Sequence, residues 1–264
     1  MSSILKIAVM AVGGQGGGVL SSWIAQLAEN CNYHAQVTSV AGVAQRTGAT
    51  IYYIEIAPQG SGDPVFALSP SPGDVDVLIA AELMEAGRAV QRGFVTPERT
   101  VLITSTHRIL AVSEKQTPGD GRSDSVAVRA ELGQHARHIV AFDMDAIAKD
   151  TESFISASLF GALAKSNALP FSTQEFRSVL ESAAKSAASN LAAFEAALFY
   201  EDENAKSVQT NQPARKPQSV NPDWVKLLER AETSSCQAKV ELLAGLQKTV
   251  DYQDIAYGYE YLDR

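Results

Sequence analysis

Cysteine is scarce in this chain: there are two, Cys31 and Cys236, far apart and in no CxxC pair. Two thiols cannot complete an iron–sulfur cluster or a zinc site, and they build no disulfide framework. Net positive charge is also lacking. The formal charge of −8 argues against a surface for nucleic acid or for anionic membrane. Long apolar runs are missing too: MSSILKIAVMAV is apolar only briefly before it meets glycines, so it reads as a first buried strand. It is too short for a membrane span and has the wrong continuation for a signal peptide, which makes a cytoplasmic location the expectation.

What is present is an alternation of strand and helix patterns. Leu5 to Val12 is an apolar run broken only by Lys6, as in a central strand buried on both faces. Val19 to Asn30 has helical spacing, with Val19, Leu20, Trp23, Ile24 and Leu27 on one side. Ala35 to Val40 and the β-branched, aromatic stretch Ala49 to Ile56 read as further strands, Pro58 to Gly73 as a loop, and Val75 to Ala80 as a fourth strand. A helix near Leu83 to Arg92 precedes strands at Thr100 to Thr104 and Ile139 to Phe142. The expected fold is therefore α/β, a doubly wound, mostly parallel, Rossmann-like sheet. From Asp143 the pattern turns to Ala- and Leu-rich helices over 154–168, 173–187 and 188–200. We expect one α/β domain over 1–200, a polar linker with three prolines over 201–222, and a helical extension over 223–264.

Between the first strand and the first helix stands GGQGGG, Gly13 to Gly18, with only Gln15 breaking the run. Such a turn presents backbone N–H groups to an anion and lets a ligand approach the backbone closely. The same glycines also serve a tight turn and close helix–sheet packing, and composition does not separate the two uses. No dinucleotide fingerprint is complete: counting from Gly14 puts Val19 where the third glycine belongs, and counting from Gly16 puts Ser21 there. Residues 35 to 41, AQVTSVA, hold no carboxylate for a ribose, and no GK[ST] makes a P-loop. A stand-alone NAD(P) reductase is thus disfavoured. A second donor-rich loop, VAGVAQRTGAT, should lie at the same sheet edge, where Gln45 and Arg46 offer several donors to a carboxylate or phosphate. Glu82 and Glu85 follow the fourth strand and read as partners of a helix dipole. His107 follows the fifth strand, while His135 and His138 fall in a helical stretch; none has a recognisable nucleophile beside it.

Three stretches in order carry a likeness: AVGGQGGGVLSSWIAQLAE from Ala11, SVAGVAQRTGATIYYIEI from Ser39, and SLFGALAKSNALPFS from Ser158. Together they resemble the gamma-type domain of 2-oxoacid:ferredoxin oxidoreductases, most closely the beta subunit of indolepyruvate oxidoreductase. GRAVQRGFVTPERTVLITSTHRILAVSEK, 87–115, is similar to the proteobacterial form of that subunit. The resemblance spans about residues 1 to 200 and, more loosely, the tail DYQDIAYGYEYLDR. It implies a subunit, inactive alone, of an enzyme that decarboxylates an aryl 2-oxoacid, passes electrons to ferredoxin and forms an acyl-CoA. Thiamine diphosphate and the iron–sulfur clusters would reside mainly on a larger alpha-type partner, with this domain on the CoA side of the shared site. Carried over, the candidate cofactor-binding residues are Gly14, Gln15, Gly16, Gly17, Gly18, Gln45, Arg46, Thr47 and Gly48, with no catalytic residue or metal ligand on this chain. Two departures stand out. Many relatives have a histidine where Ala41 stands, and proteobacterial relatives continue past Arg264, so the extension is expected to be truncated. The alternative from another class is a stand-alone CoA- or nucleotide-binding module.

Overall fold

The computed structural model describes residues 4–41, 49–60, 64–110, 124–182, 186–201, 222–232, 239–252 and 254–263. The chain divides into two compact units, Met1–Asp202 and Glu203–Arg264. The first unit is built on β1 (Leu5–Val12), β2 (Tyr33–Ala41), β3 (Ala49–Pro58), β4 (Val77–Ala80), β5 (Val101–Ser105) and β6 (His138–Phe142). They form one six-stranded sheet in the order β2-β3-β1-β4-β5-β6. As its apolar run predicts, β1 lies inside the sheet, with Ile7 to Ala11 all buried.

β1, β4, β5 and β6 pair in parallel, whereas β3 is antiparallel to both β1 and β2. Five strands therefore share one direction and β3 alone opposes them. Regular strand–helix alternation fails here for a plain reason. A parallel return needs a crossover of a dozen or more residues, and only 42–48 separate β2 from β3. In β3 the pattern ATIYYIEI sends Ile54 and Ile56 to one face and Ile51 and Tyr53 to the other.

Helices cover both faces. One face carries α1 (Gly17–Asn30), α4 (Met144–Asp150), α5 (Ile155–Lys165), α6 (Thr173–Glu181) and α7 (Ala187–Leu198), and the other carries α2 (Leu83–Gln91) and α3 (Ser125–His135). The helical stretch expected around His135 is the end of α3, but it stops there: His138 stands in β6, and the sequence pattern does not announce α4. α3 has apolar residues scattered round its circumference and buries only Leu132, so its sequence lacks a clear stripe. α5 is the reverse case: Ile155 through Ala164 are all buried, because it lies inside its layer. Phe160 on α5 meets Trp23, Phe176 and Phe194 at ring-centroid distances of 5.8, 4.8 and 6.0 Å, which locks α1, α6 and α7 around it. Ser172 and Glu175 start α6 with a reciprocal capping box.

At the amino ends of the parallel strands, Arg99 grips Asp76 with Nε and Nη2 at 2.7 and 3.2 Å, and Asp76 also accepts the Lys6 amide at 2.9 Å. Lys6 and Arg99 both pair with Asp74, and the Lys6 hydrogen bond above all holds its carboxyl below the usual range. This edge is tied by charge; the opposite edge is where the glycines stand.

The second unit contains α8 (Pro222–Glu232), α9 (Lys239–Tyr252) and α10 (Ile255–Asp263) around Leu227, Ala231 and Leu246. Residues 202–221, on which nearly all of the expected linker falls, and Cys236 lie outside the described residues. Among the described residues no helix is long and apolar enough to cross a membrane.

Candidate functional site

β1 and β4 are adjacent and parallel, yet the chain leaves them toward opposite faces, through α1 and α2 respectively. A crevice opens outside the carboxyl ends of two such strands, and α/β sheets use it for ligands. The glycine turn occupies that position. Gly14 and Gly16 have φ of +90° and +68°, values that side chains disfavour, and Gly16 is the N-cap of α1. The cap offers no side-chain acceptor, and no acidic residue stands in the first turn. Among the described residues the first N–H groups of the helix are thus left without an intrahelical or side-chain partner, on the positive end of the helix dipole. Gly13 and Gly14 are exposed, and a methyl group added at either would meet nothing within 4 Å.

Gly17 has a different role. A methyl there would come within 2.6 Å of the Tyr52 ring and 2.8 Å of the Ala11 Cβ. Tyr52 from β3 lies over Gly17 and Gly18, so this part of the run is spent on packing the helix against the sheet. Ser156, buried at the start of α5, stands 3.1 Å from where a Gly16 Cβ would be. Neither Tyr52 nor Ser156 is a candidate on sequence grounds, because nothing in their local pattern points to the turn.

Gln15 is buried, at 6% exposure, and its amide joins three strand ends. Its Oε1 accepts the Val12 amide at 2.8 Å, closing the turn on β1. Its Nε2 lies 3.4 Å from the Ala81 carbonyl, after β4, and 3.3 Å from His107 Nε2, after β5. His107 Nδ1 in turn lies 2.7 Å from Ser105 Oγ, and Ser105 Oγ accepts the Met144 amide, the first of α4, at 3.0 Å. The histidine that has no partner in the linear pattern thus acquires two in the fold.

The neighbouring helix start is already satisfied. Glu82, itself buried, caps α2 by accepting the Met84 and Glu85 amides at 3.0 and 2.9 Å, the dipole role expected of it. Glu85 is fully buried beside Arg88, and burial pushes its carboxyl above the usual range. A raised folded-state value means that the folded chain holds this proton where the unfolded chain has lost it. Its effect on stability is therefore absent at low pH and becomes a penalty as pH rises above the ordinary value of 4.5. Glu85→Gln should accordingly show a urea midpoint that falls less than that of the wild type between pH 4.5 and neutrality. Parallel curves would refute this.

Other candidates disperse. His135 ends α3 with Glu131 at 3.8 Å, and His138 is exposed. Burial pushes the Cys31 thiol up to about 11, with Glu175 adding to the shift, so it is a poor nucleophile and a poor metal ligand at neutral pH. Among the described residues no group of three His, Cys, Asp or Glu is placed to hold a metal. Gln45, Arg46, Thr47 and Gly48 lie outside the described residues. The register pairs Val12 with Ala49 and Ala41 with Thr50, so β2 ends and β3 begins level with the glycine turn.

Against known proteins, the chain matches the pyruvate ferredoxin/flavodoxin oxidoreductase family over residues 6–200. It is 24% identical over 177 residues to indolepyruvate oxidoreductase subunit IorB of Pyrococcus horikoshii, a match covering 66% of this chain and 84% of that one. In fold it is similar to pyruvate oxidoreductase subunit PORC of Thermotoga maritima, with a TM-score of 0.51, 15% identity, and coverage of 74% and 95% of the two chains. The gamma subunit of keto/oxoacid ferredoxin oxidoreductase from Geobacter sulfurreducens gives a TM-score of 0.49 at 16% identity, over 74% and 95%.

Proposed function

The chain belongs to the pyruvate ferredoxin/flavodoxin oxidoreductase family, and from that premise we propose that it is the gamma-type subunit of an indolepyruvate-type oxidoreductase, inactive alone and working in the cytoplasm. The observation that carries this reading is the family match across residues 6–200, with the indolepyruvate enzyme's subunit as a curated relative. In the assembled enzyme, thiamine diphosphate supplies decarboxylation of the oxoacid, iron–sulfur clusters supply the electron path to ferredoxin, and CoA takes the acyl group. The thiamine and the clusters would reside mainly on a larger alpha-type subunit, and for the clusters this agrees with a chain of only two cysteines.

This chain's own contribution is an anion cradle. The uncapped start of α1 fits an anionic group such as a CoA phosphate, which backbone N–H donors and the helix dipole would hold without a lysine. The open space around Gly13 and Gly14 leaves room for such a group to approach the backbone. Gln45, Arg46, Thr47 and Gly48 would complete the cradle from the β2–β3 connection. Glu82, already engaged in capping α2, keeps that neighbouring helix start from competing for the anion.

The test is co-expression with a thiamine- and cluster-bearing partner subunit. A co-purifying complex that reduces a ferredoxin substitute with an aryl 2-oxoacid, only in the presence of CoA, is the expected result. Failure to form a complex, together with no CoA-dependent oxidation of any oxoacid tried, would overturn the proposal. Calorimetry on the isolated chain separates the alternative: submicromolar CoA binding without a partner would favour a stand-alone binding module.

A further inference from the structure

The Gln15 amide cannot be turned round. Val12 presents an N–H at 2.8 Å and therefore requires Oε1, while the Ala81 carbonyl at 3.4 Å requires Nε2. Flipping the amide would set donor against donor at Val12 and acceptor against acceptor at Ala81. With the orientation determined by two backbone groups, the atom facing His107 Nε2 is an N–H donor. His107 Nε2 must then be the bare, accepting nitrogen, so the ring proton sits on Nδ1 and is donated to Ser105 Oγ at 2.7 Å. Ser105 accepts there and from the Met144 amide, which anchors the ring to the start of α4.

From this chain of donors and acceptors we propose that His107 is a positioning residue for the glycine turn. Held neutral with its proton on Nδ1, it holds the Gln15 amide, and Gln15 sets the conformation in which Gly13 to Gly16 present their backbone. β1, β4 and β5 are thereby tied at one point, and the cradle's shape depends on a side chain 92 positions away from Gln15 in the chain. The proposal's significance for CoA rests on the reading of the turn as an anion site, but the geometry of the turn does not.

Two measurements on the full chain and its complex test it, and they fail separately. In the isotope-labelled full chain, long-range nitrogen–proton spectra should show His107 protonated at Nδ1 at neutral pH. His107→Leu should shift the Gly13, Gly14 and Gly16 amide resonances, while His107→Gln, whose carbonyl stands in for Nε2, should restore them substantially. A proton on Nε2, or glycine amides indifferent to His107→Leu, would overturn the inference. In the complex with the partner subunit, His107→Leu should raise the KM for CoA about tenfold with kcat changed less than about twofold, a loss of about 1.4 kcal/mol in binding. If the glycine amides move and the KM does not, the positioning role stands and the CoA reading of the turn fails.

Discussion

Gly161→Val is expected to be the most damaging single substitution in the first unit. A methyl at this position on α5 would overlap the backbone carbonyl oxygen of Phe194 on α7 and come within 3.0 Å of the Ala197 Cβ. A carbonyl inside a helix cannot swing aside as a side chain can, so α5 and α7 must separate. Separation disturbs Phe160, Phe176 and Phe194, which pack together next to the contact. Overpacking of this kind costs about 3 kcal/mol, more than the roughly 1 kcal/mol that leaving glycine gains in a helix. For a unit of this size that is a fall in Tm of about 6–12 °C. Trp23, 5.8 Å from Phe160, reports the unfolding once Trp224 in the second unit is replaced by phenylalanine. A Tm within about 1 °C of the parent would show that the two helices are not in backbone contact.

The second large effect divides the glycine run between two uses. Gly17→Ala should cost about 2 kcal/mol, because its methyl would collide with both Tyr52 and Ala11. Gly13→Ala should cost almost nothing in stability: its φ is not positive, and its methyl would meet no atom of the described residues within 4 Å. Among the described residues, then, nothing requires glycine at 13. In the complex, Gly13→Ala should raise the KM for CoA about tenfold, or about 1.4 kcal/mol, with no change in Tm. Gly17→Ala should show the opposite pattern, with Tm lowered and the KM for CoA nearly unchanged in whatever complex folds. If both substitutions affected stability alone, the turn would be a packing device and the anion site would have to be sought elsewhere.

Much of this protein is legible in its sequence because the signals are local. β1 is read from the six consecutive apolar residues Ile7 to Val12, since the part of a strand that is buried on both faces must be apolar. The turn is read from glycines between that strand and a helical stripe, and the failed dinucleotide fingerprint is read from Val19 and Ser21 in the two possible frames. The scarcity of cysteine is read from composition alone, and it leaves the chain two thiols where a cluster takes four. α3 is legible only as a helical stretch around His135 without bounds, because it has no stripe, and α4 is not legible, because it has only seven residues.

Which partner each residue meets is decided by tertiary structure. Antiparallel β3 follows from the short 42–48 connection once the sheet is assembled, and it brings Tyr52 over Gly17, a contact 35 positions apart in the chain. His107 carries no local sign of a role; it becomes part of the site only because parallel pairing brings the ends of β1, β4 and β5 to one edge. Composition and periodicity determine which segments are strands, helices and turns, since those depend on each residue's own hydrophobicity and backbone freedom. The hydrogen bonds of Gln15 to Ala81 and His107 join atoms 66 and 92 positions apart, and the packing of Gly17 depends on Tyr52; only the folded sheet sets these groups side by side.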